Sequence, residues 1–342
     1  MTNNPQFQRP TFKFSGRKSP LALTIGVLVI IGAVFTALSG FYADWLWFKS
    51  VNYTSTWSTI LATKATLFVA TGLITAGFVV LNVVLAYKRR PLYVPISIEA
   101  DNLERYRGQI EAIRGKLLIG GSLALFYFAG TSGTTLWSTW LLFKNSTPFG
   151  VKDPQFNMDI SFFAFRLPFW QTLISWAIST IVLAIIASTI VHYLYGGIRL
   201  QVREDRTTVA ARVQLSVLFG LVVLLKAVAY WFDRYALALK ESKLITGLTY
   251  TDVNAVLPAK AILAGIALIC ALLFFANIVR RSWVLPAAGT ALLVISSVLI
   301  AGLYPAAIQT FQVKPSESSK EAPYIQRNIE ATRSAYGLQD VT

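Results

Sequence analysis

The sequence predicts an all-α integral membrane protein, a bundle of about seven transmembrane helices with a cytoplasmic N-terminus and an extracytoplasmic C-terminus. Three observations support this: seven long apolar stretches, connections alternately rich and poor in Arg and Lys, and a charged content of only 14%. A soluble domain carries about 25% charged residues, whereas about 20 apolar residues in a helix cross a bilayer core. The stretches begin near Leu21, Thr59, Leu117, Trp170, Val213, Ala261 and Trp283.

The basic charge predicts how the chain is oriented. The formal net charge is +15, and most of it lies in blocks beside every second apolar stretch. Under the positive-inside rule these blocks are cytoplasmic, which places the N-terminus inside and the C-terminus outside. Attraction to anionic inner-leaflet lipids explains the charge without nucleic acid. We therefore expect a multi-pass protein of the plasma membrane. The basic blocks are 9–18, 88–116, 199–212 and 280–281.

The chain divides into three parts by composition. Residues 1–19 form a basic cytoplasmic tail, 20–305 the seven-span domain, and 306–342 a polar extracytoplasmic segment. The first apolar stretch is longer than a signal-peptide core and lacks a clear cleavage site, so we expect a retained anchor. The polar segment is too short to bury a core of its own, and we expect it to begin a larger domain.

Three features of the apolar part allow alternatives. Residues 101–114 have amphipathic helical spacing, which fits either a lead-in helix to the third span or a docking site for a partner. Gly130 and Gly133 fit close helix packing or a broken helix of the kind that binds ions in transporters. His192, near the predicted inner end of the fourth span, is expected to lie at the membrane interface.

Recognisable catalytic and cofactor motifs are absent from the sequence. There is no G-x-x-x-x-G-K-[ST] phosphate loop, no H-E-x-x-H and no G-x-S-x-G. One His and one Cys exclude a disulfide, a cysteine metal site or paired haem ligands within the chain. No Asp or Glu lies near the middle of a span, which weighs against a carboxylate proton relay. We therefore predict no catalytic, cofactor-binding or metal-binding residues, and the sequence leaves open whether the protein is an enzyme.

Five ionisable residues toward the predicted outer ends of the spans form a candidate polar pocket. Lysines near a membrane edge can extend to the interface and pair with a carboxylate. They can also form a cationic pocket for an anionic lipid headgroup or solute. The five residues are Asp44, Lys64, Lys226, Asp233 and Lys260.

Five stretches together resemble one known family. They are 42–48 (YADWLWF), 152–159 (KDPQFNMD), 192–199 (HYLYGGIR), 250–255 (YTDVNA) and 324–329 (YIQRNI). In combination they resemble the N-terminal membrane region of uncharacterised protein family 0182, large bacterial multi-pass membrane proteins. The resemblance implies a long extracytoplasmic region after the spans. Because that family has no established activity, the resemblance assigns no catalytic residue.

The sequence favours one function over a second. The first is a plasma-membrane anchor or scaffold that holds an extracytoplasmic domain or a cell-envelope complex, with envelope proteins as partners. The alternative is a transporter or lipid-handling protein that uses the candidate polar pocket.

Overall fold

The structure is a computed structural model that describes residues 20–91, 98–200, 206–242, 245–280 and 284–338. Among these residues the chain is helical, with isolated bridges and no β-strand. The basic tail 1–19 and the connection at 281–283 lie outside the described residues. The principal helices are α1 (Pro20–Ser50), α2 (Thr54–Lys88), α3 (Ile98–Thr134), α4 (Trp137–Lys144), α5 (Leu167–Leu194), α6 (Val209–Ala236), α7 (Leu257–Arg280), α8 (Val284–Ser296), α9 (Tyr304–Ala307) and α10 (Glu317–Ala335).

Seven helical runs in the described part of the chain are long and apolar enough to cross a membrane. The prediction of an all-helical chain with seven such helices is confirmed at this level. The last run extends from Val284 to Ala335, 52 residues, and is still helical at the predicted boundary at residue 305. Within it, π-helical segments at Ser297–Leu303 and Ile308–Val313 precede α10. Ser316, directly before α10, departs from helical geometry with φ −138° and ψ 40°.

The chain forms two compact units, which divide after Ala62. In the first, α1 and the beginning of α2 are joined by a tight turn at residues 51–53. Asn52 has a φ of 61°, in the left-handed region that asparagine tolerates better than most residues. The Phe41 and Trp57 rings pack edge to face across the turn with centroids 5.0 Å apart.

In the second unit, α2, α5 and α6 surround an apolar core. Its buried residues include Val79, Ala184, Leu215 and Leu218. Small polar side chains pair inside this helix cluster, as in the hydrogen bond between the hydroxyl groups of Thr75 and Thr180, 3.2 Å apart. Such pairs satisfy polar groups that would otherwise be buried without a partner.

His192, near the end of α5, is buried in this interior, and its place at the membrane interface stays a prediction. The side chain is only 1% exposed, and its Nε2 lies 3.1 Å from the Oε1 of Gln214. The amide of Gln214 in turn donates to the Asn82 carbonyl oxygen and to Ser188 Oγ. Gln214, 22 residues later in the sequence, thus provides a hydrogen-bond partner for the imidazole of His192.

Helix α3 contains both features of the third span for which the sequence left alternatives. It continues from Ile98 to Thr134, so the amphipathic segment leads directly into the apolar helix, while its use as a docking site stays a prediction. Gly130 packs against Phe68, where an added Cβ would lie 2.9 Å from the Phe68 carbonyl oxygen. The Thr71 hydroxyl also donates to the Ala129 carbonyl oxygen at 3.0 Å. The glycines pack closely against α2. Helix α3 ends just after them, and a turn at residues 135–136 separates it from α4, so a functional role of this break stays a prediction.

Candidate functional site

Two of the five predicted pocket residues form an ion pair. Lys260 Nζ lies 3.4 Å from Asp233 Oδ2, with both side chains partly exposed. The other two lysines lie over aromatic rings, Lys64 over Trp137 and Lys226 over Tyr230, each 5.4 Å from the ring centroid. Asp44 is exposed in the first unit. The outer-leaflet pocket stays a prediction.

A different set of residues surrounds a cavity of about 230 Å³ in the second unit. We call it the polar cleft. It lies between α10 and the connection that follows α6, with one lining residue from the segment Ile308–Val313. Its lining combines charged, hydroxyl and amide groups with two isoleucines. The lining residues are Lys240, Ser242, Ile245, Thr249, Gln309, Glu317, Glu321 and Ile325.

Two π-helical segments border the polar cleft. One, Asp252–Val256, leads into α7, and the other, Ile308–Val313, follows α9. The Thr251 hydroxyl, just before the first segment, donates to the Gln309 side-chain oxygen in the second. The π-helix is rare and often marks functional positions, because its wider turn displaces side chains from the regular helical spacing. Their meeting here distinguishes the cleft from the rest of the described chain.

Asp252 anchors one wall of the cleft. Its side chain is fully buried, and its Oδ1 lies 2.7 Å from the ammonium group of Lys240. Its Oδ2 accepts from the Thr249 hydroxyl at 2.8 Å and from the Thr249 backbone N–H at 3.2 Å. The carboxylate thus has both a counter-charge and hydrogen-bond donors, which a buried charge needs.

Glu321 forms the opposite wall and ties α10 to the connection before α7. It is 4% exposed, and its two oxygens share the backbone N–H of Tyr250 at 3.0 and 3.2 Å. Farther along α10, the Asn328 amide donates to the Thr246 carbonyl oxygen at 2.8 Å. The Tyr250 and Tyr324 rings meet edge to face. These contacts fix α10 across the cleft.

A second connection, 145–161, is ordered by acidic caps and also reaches α10. Hydrogen bonds from the Ser161 side chain, and then from the backbone N–H groups of Phe149, Ser161 and Gly150, hold the pKa of Asp159 well below its usual range. These hydrogen bonds favour the charged carboxylate and tie residues 149 and 150 to residues 159 and 161. Arg327 on α10 donates to the Gln155 side-chain oxygen at 3.3 Å.

The sequence analysis missed Lys240, Asp252 and Glu321 as site residues. Asp252 lies within the stretch 250–255 that supports the family resemblance, directly before an apolar span. Glu321 lies just before the stretch 324–329. The position of Asp252, an acidic residue directly before an apolar stretch, is the one local feature that could have indicated a site residue. Nothing local indicates that Glu321 meets Tyr250, 71 residues earlier.

Comparisons with known proteins identify the family and no activity. The chain is similar to UPF0182 proteins of Streptomyces coelicolor (48% identity over 330 residues) and Thermobifida fusca (47% over 327). These matches cover 95% and 94% of this chain but 33% and 32% of the relatives, so the chain spans about a third of their length. No solved structure matches the chain. The model of the uncharacterised protein family UPF0182 matches residues 21–342, and the chain therefore belongs to that family.

Proposed function

We propose that this chain is a multi-pass anchor in the plasma membrane, with its N-terminus in the cytoplasm and its C-terminus outside. It holds an extracytoplasmic domain or envelope partner in a fixed orientation. Seven apolar helices of membrane length support the anchor. The alternation of basic and less basic connections supports the orientation.

The observation that carries the proposal is the attachment of α10. This 19-residue helix is polar and contains Pro323, which lacks a backbone N–H and disfavours a helix interior. A short helix of this kind is marginal in water by itself. The contacts of Glu321, Asn328 and Arg327 with two separate connections support a helix that the membrane part holds rigidly.

A rigid α10 determines how anything attached beyond it is oriented. The curated relatives are about three times as long as this chain, so they contain a large region outside the match. In the proposed role, the helices fix the position of that region or of a partner bound to it. The transport or lipid-handling alternative would use Lys226, which is exposed and lies over the Tyr230 ring.

Reporter fusions test the proposed orientation. We expect green fluorescent protein fused before Met1 to fluoresce, and alkaline phosphatase fused after Thr342 to be active. Phosphatase folds only outside the cytoplasm, whereas the unassisted fluorescent protein matures inside. A fluorescent C-terminal fusion with an inactive phosphatase would contradict the seven-span arrangement.

Hydrogen exchange tests whether α10 is held rigidly. We expect its backbone amides to be protected in the purified chain and Glu321→Ala to reduce that protection about tenfold or more. The substitution removes a hydrogen bond to a charged group, worth about 1.5–3 kcal/mol. The exposed Glu330 on the same helix provides the control Glu330→Ala, which should change little.

Lys226→Leu should leave the protection of α10 unchanged, because Lys226 has no place in the attachment. Rapid exchange of α10 in the unmodified chain would overturn the anchor proposal. A loss of lipid binding or transport on Lys226→Leu, with α10 still protected, would favour the alternative.

A further inference from the structure

We propose that a phosphate group binds where the end of α2, the first half of α3 and the end of α5 meet, and that Arg90 and Arg107 donate to its oxygens. We call this place the arginine site. The inference goes beyond the anchor role and does not depend on the attachment of α10. It rests on a buried N–H group without an acceptor, on a stacked guanidinium group and on the aromatic frame that both contact.

Glu111 on α3 forms the centre of this frame. Its Oε1 accepts from the Tyr87 hydroxyl at 2.6 Å and from Arg114 Nη1 at 2.7 Å. Its Oε2 accepts from the Tyr195 hydroxyl at 2.8 Å. The two tyrosine rings pack edge to face with their centroids 5.1 Å apart. Glu111 thus has Arg114 as its ion-pair partner and ties the ends of α2 and α5 to α3.

Arg107 lies one helical turn before Glu111 and has an N–H group without an acceptor. Its Nε donates to the Leu194 carbonyl oxygen at the end of α5, whereas its buried Nη2 has no hydrogen-bond partner among the described residues. A charged N–H group that is buried without an acceptor keeps an uncompensated desolvation cost. The residue as a whole is only partly buried, so the guanidinium group is near the surface. An anionic oxygen there would supply both the acceptor and the opposing charge.

Arg90, two residues after the end of α2, adds a second guanidinium group to the same frame. Its central carbon lies 3.9 Å from the centroid of the Tyr87 ring and 5.7 Å from that of Tyr195. Stacking on a ring orients a planar guanidinium group and leaves its N–H edges available for a bidentate acceptor. Since Arg107 binds the carbonyl of Leu194, directly before Tyr195, both guanidinium groups border Tyr195.

A phosphate group suits this arrangement. It has two or three unesterified oxygens and can therefore accept from two guanidinium groups at once, each in the bidentate geometry that arginine favours. Tyrosine is enriched at the membrane interface, at the level of the lipid headgroups. Both arginines belong to the basic block 88–116, which is predicted to lie beside anionic lipids. The phosphate group is therefore that of an anionic phospholipid or of a soluble phosphate ester.

Native mass spectrometry of the purified chain in detergent tests the arginine site. We expect dioleoylphosphatidylglycerol to be retained as a one-to-one complex, and a diacylglycerol with the same acyl chains and no phosphate group to be lost. Arg90→Gln and Arg107→Gln should each lower the affinity roughly tenfold, because each removes charge-assisted hydrogen bonds. The control is Lys116→Gln, at an exposed residue of α3 in the same basic block, which should bind as the unmodified chain does.

A competitor identifies the source of the phosphate group. Displacement of the lipid by glycerol phosphate would assign the site to a soluble phosphate ester, whereas retention of the lipid would assign it to a headgroup, and both results support a phosphate site. Equal binding of the diacylglycerol, or an equal loss of affinity in Lys116→Gln, would overturn the inference.

Arg90→Gln keeps the test independent of folding and of the anchor. Arg90 is exposed, so its substitution leaves the interior intact, and unchanged affinity in this variant would also overturn the inference. None of the contacts of the arginine site involves α10, so hydrogen exchange should show α10 equally protected in Arg90→Gln. A failed phosphate site and a failed anchor therefore give different results.

Discussion

Asp252→Asn is expected to destabilise the protein more than any other substitution of a charged residue in the described chain. Asparagine retains one acceptor and replaces the other with an N–H₂ group, which must face either the Lys240 ammonium group or the donors of Thr249. Leaving buried donors and a charge without their partner costs about 2–3 kcal/mol after allowing for the exposed half of Lys240. Thermal unfolding followed by tryptophan fluorescence should show a midpoint roughly 5 °C lower.

The matched control is Asp233→Asn, at the ion pair between Asp233 in α6 and Lys260 in α7. Asp233 and Lys260 are both partly exposed and 3.4 Å apart, so the pair is worth about 1 kcal/mol or less. A similar change in both variants would mean that burial of Asp252 adds nothing, and the account of that wall of the cleft would be wrong.

The second large effect is expected for Gly72→Ala, where α2 meets α3. A Cβ at residue 72 would lie 2.7 Å from the carbonyl oxygen of Phe126. That oxygen belongs to the backbone of α3 and cannot rotate away, so the two helices must separate. The nearby hydrogen bond from Thr71 to the Ala129 carbonyl would then lengthen. Overpacking of this kind costs about 1–3 kcal/mol, measurable in the same thermal unfolding experiment.

Gly77→Ala is the control on the same helix. Nothing lies within 4 Å of a Cβ at residue 77. Because alanine is favoured over glycine inside a helix by about 0.8–1.0 kcal/mol, this variant should be as stable as the unmodified chain or slightly more stable. If Gly72→Ala behaves like Gly77→Ala, close packing is not the reason for glycine at residue 72.

The helices could be predicted from sequence because long apolar stretches follow a simple rule. Without water, backbone groups must pair within the segment, so a long apolar stretch has to be a helix. The ends were less predictable. Helix α3 begins at Ile98 rather than near Leu117, because the amphipathic lead-in continues directly into the apolar part. Composition marks where a helix enters an apolar environment, while hydrogen bonding determines where the helix begins.

The candidate site depends on pairings that composition does not contain. Glu321 and Tyr250 are each unremarkable in their local sequence, and their contact joins α10 to a residue 71 positions earlier. His192 shows the same limitation in the interior. Its hydrogen bond with Gln214 on α6 cannot be predicted from the sequence around a single histidine near a helix end.

The short segments Ile308–Val313 and Lys314–Ser316 connect the last apolar helix to α10, and their length affects the direction in which α10 faces. In a helix each residue adds about 100° of rotation and 1.5 Å of rise. One residue inserted between α9 and α10 would therefore turn Glu321 and Asn328 away from the groups they contact. The number of residues in this segment thus sets the direction in which the side chains of α10 face.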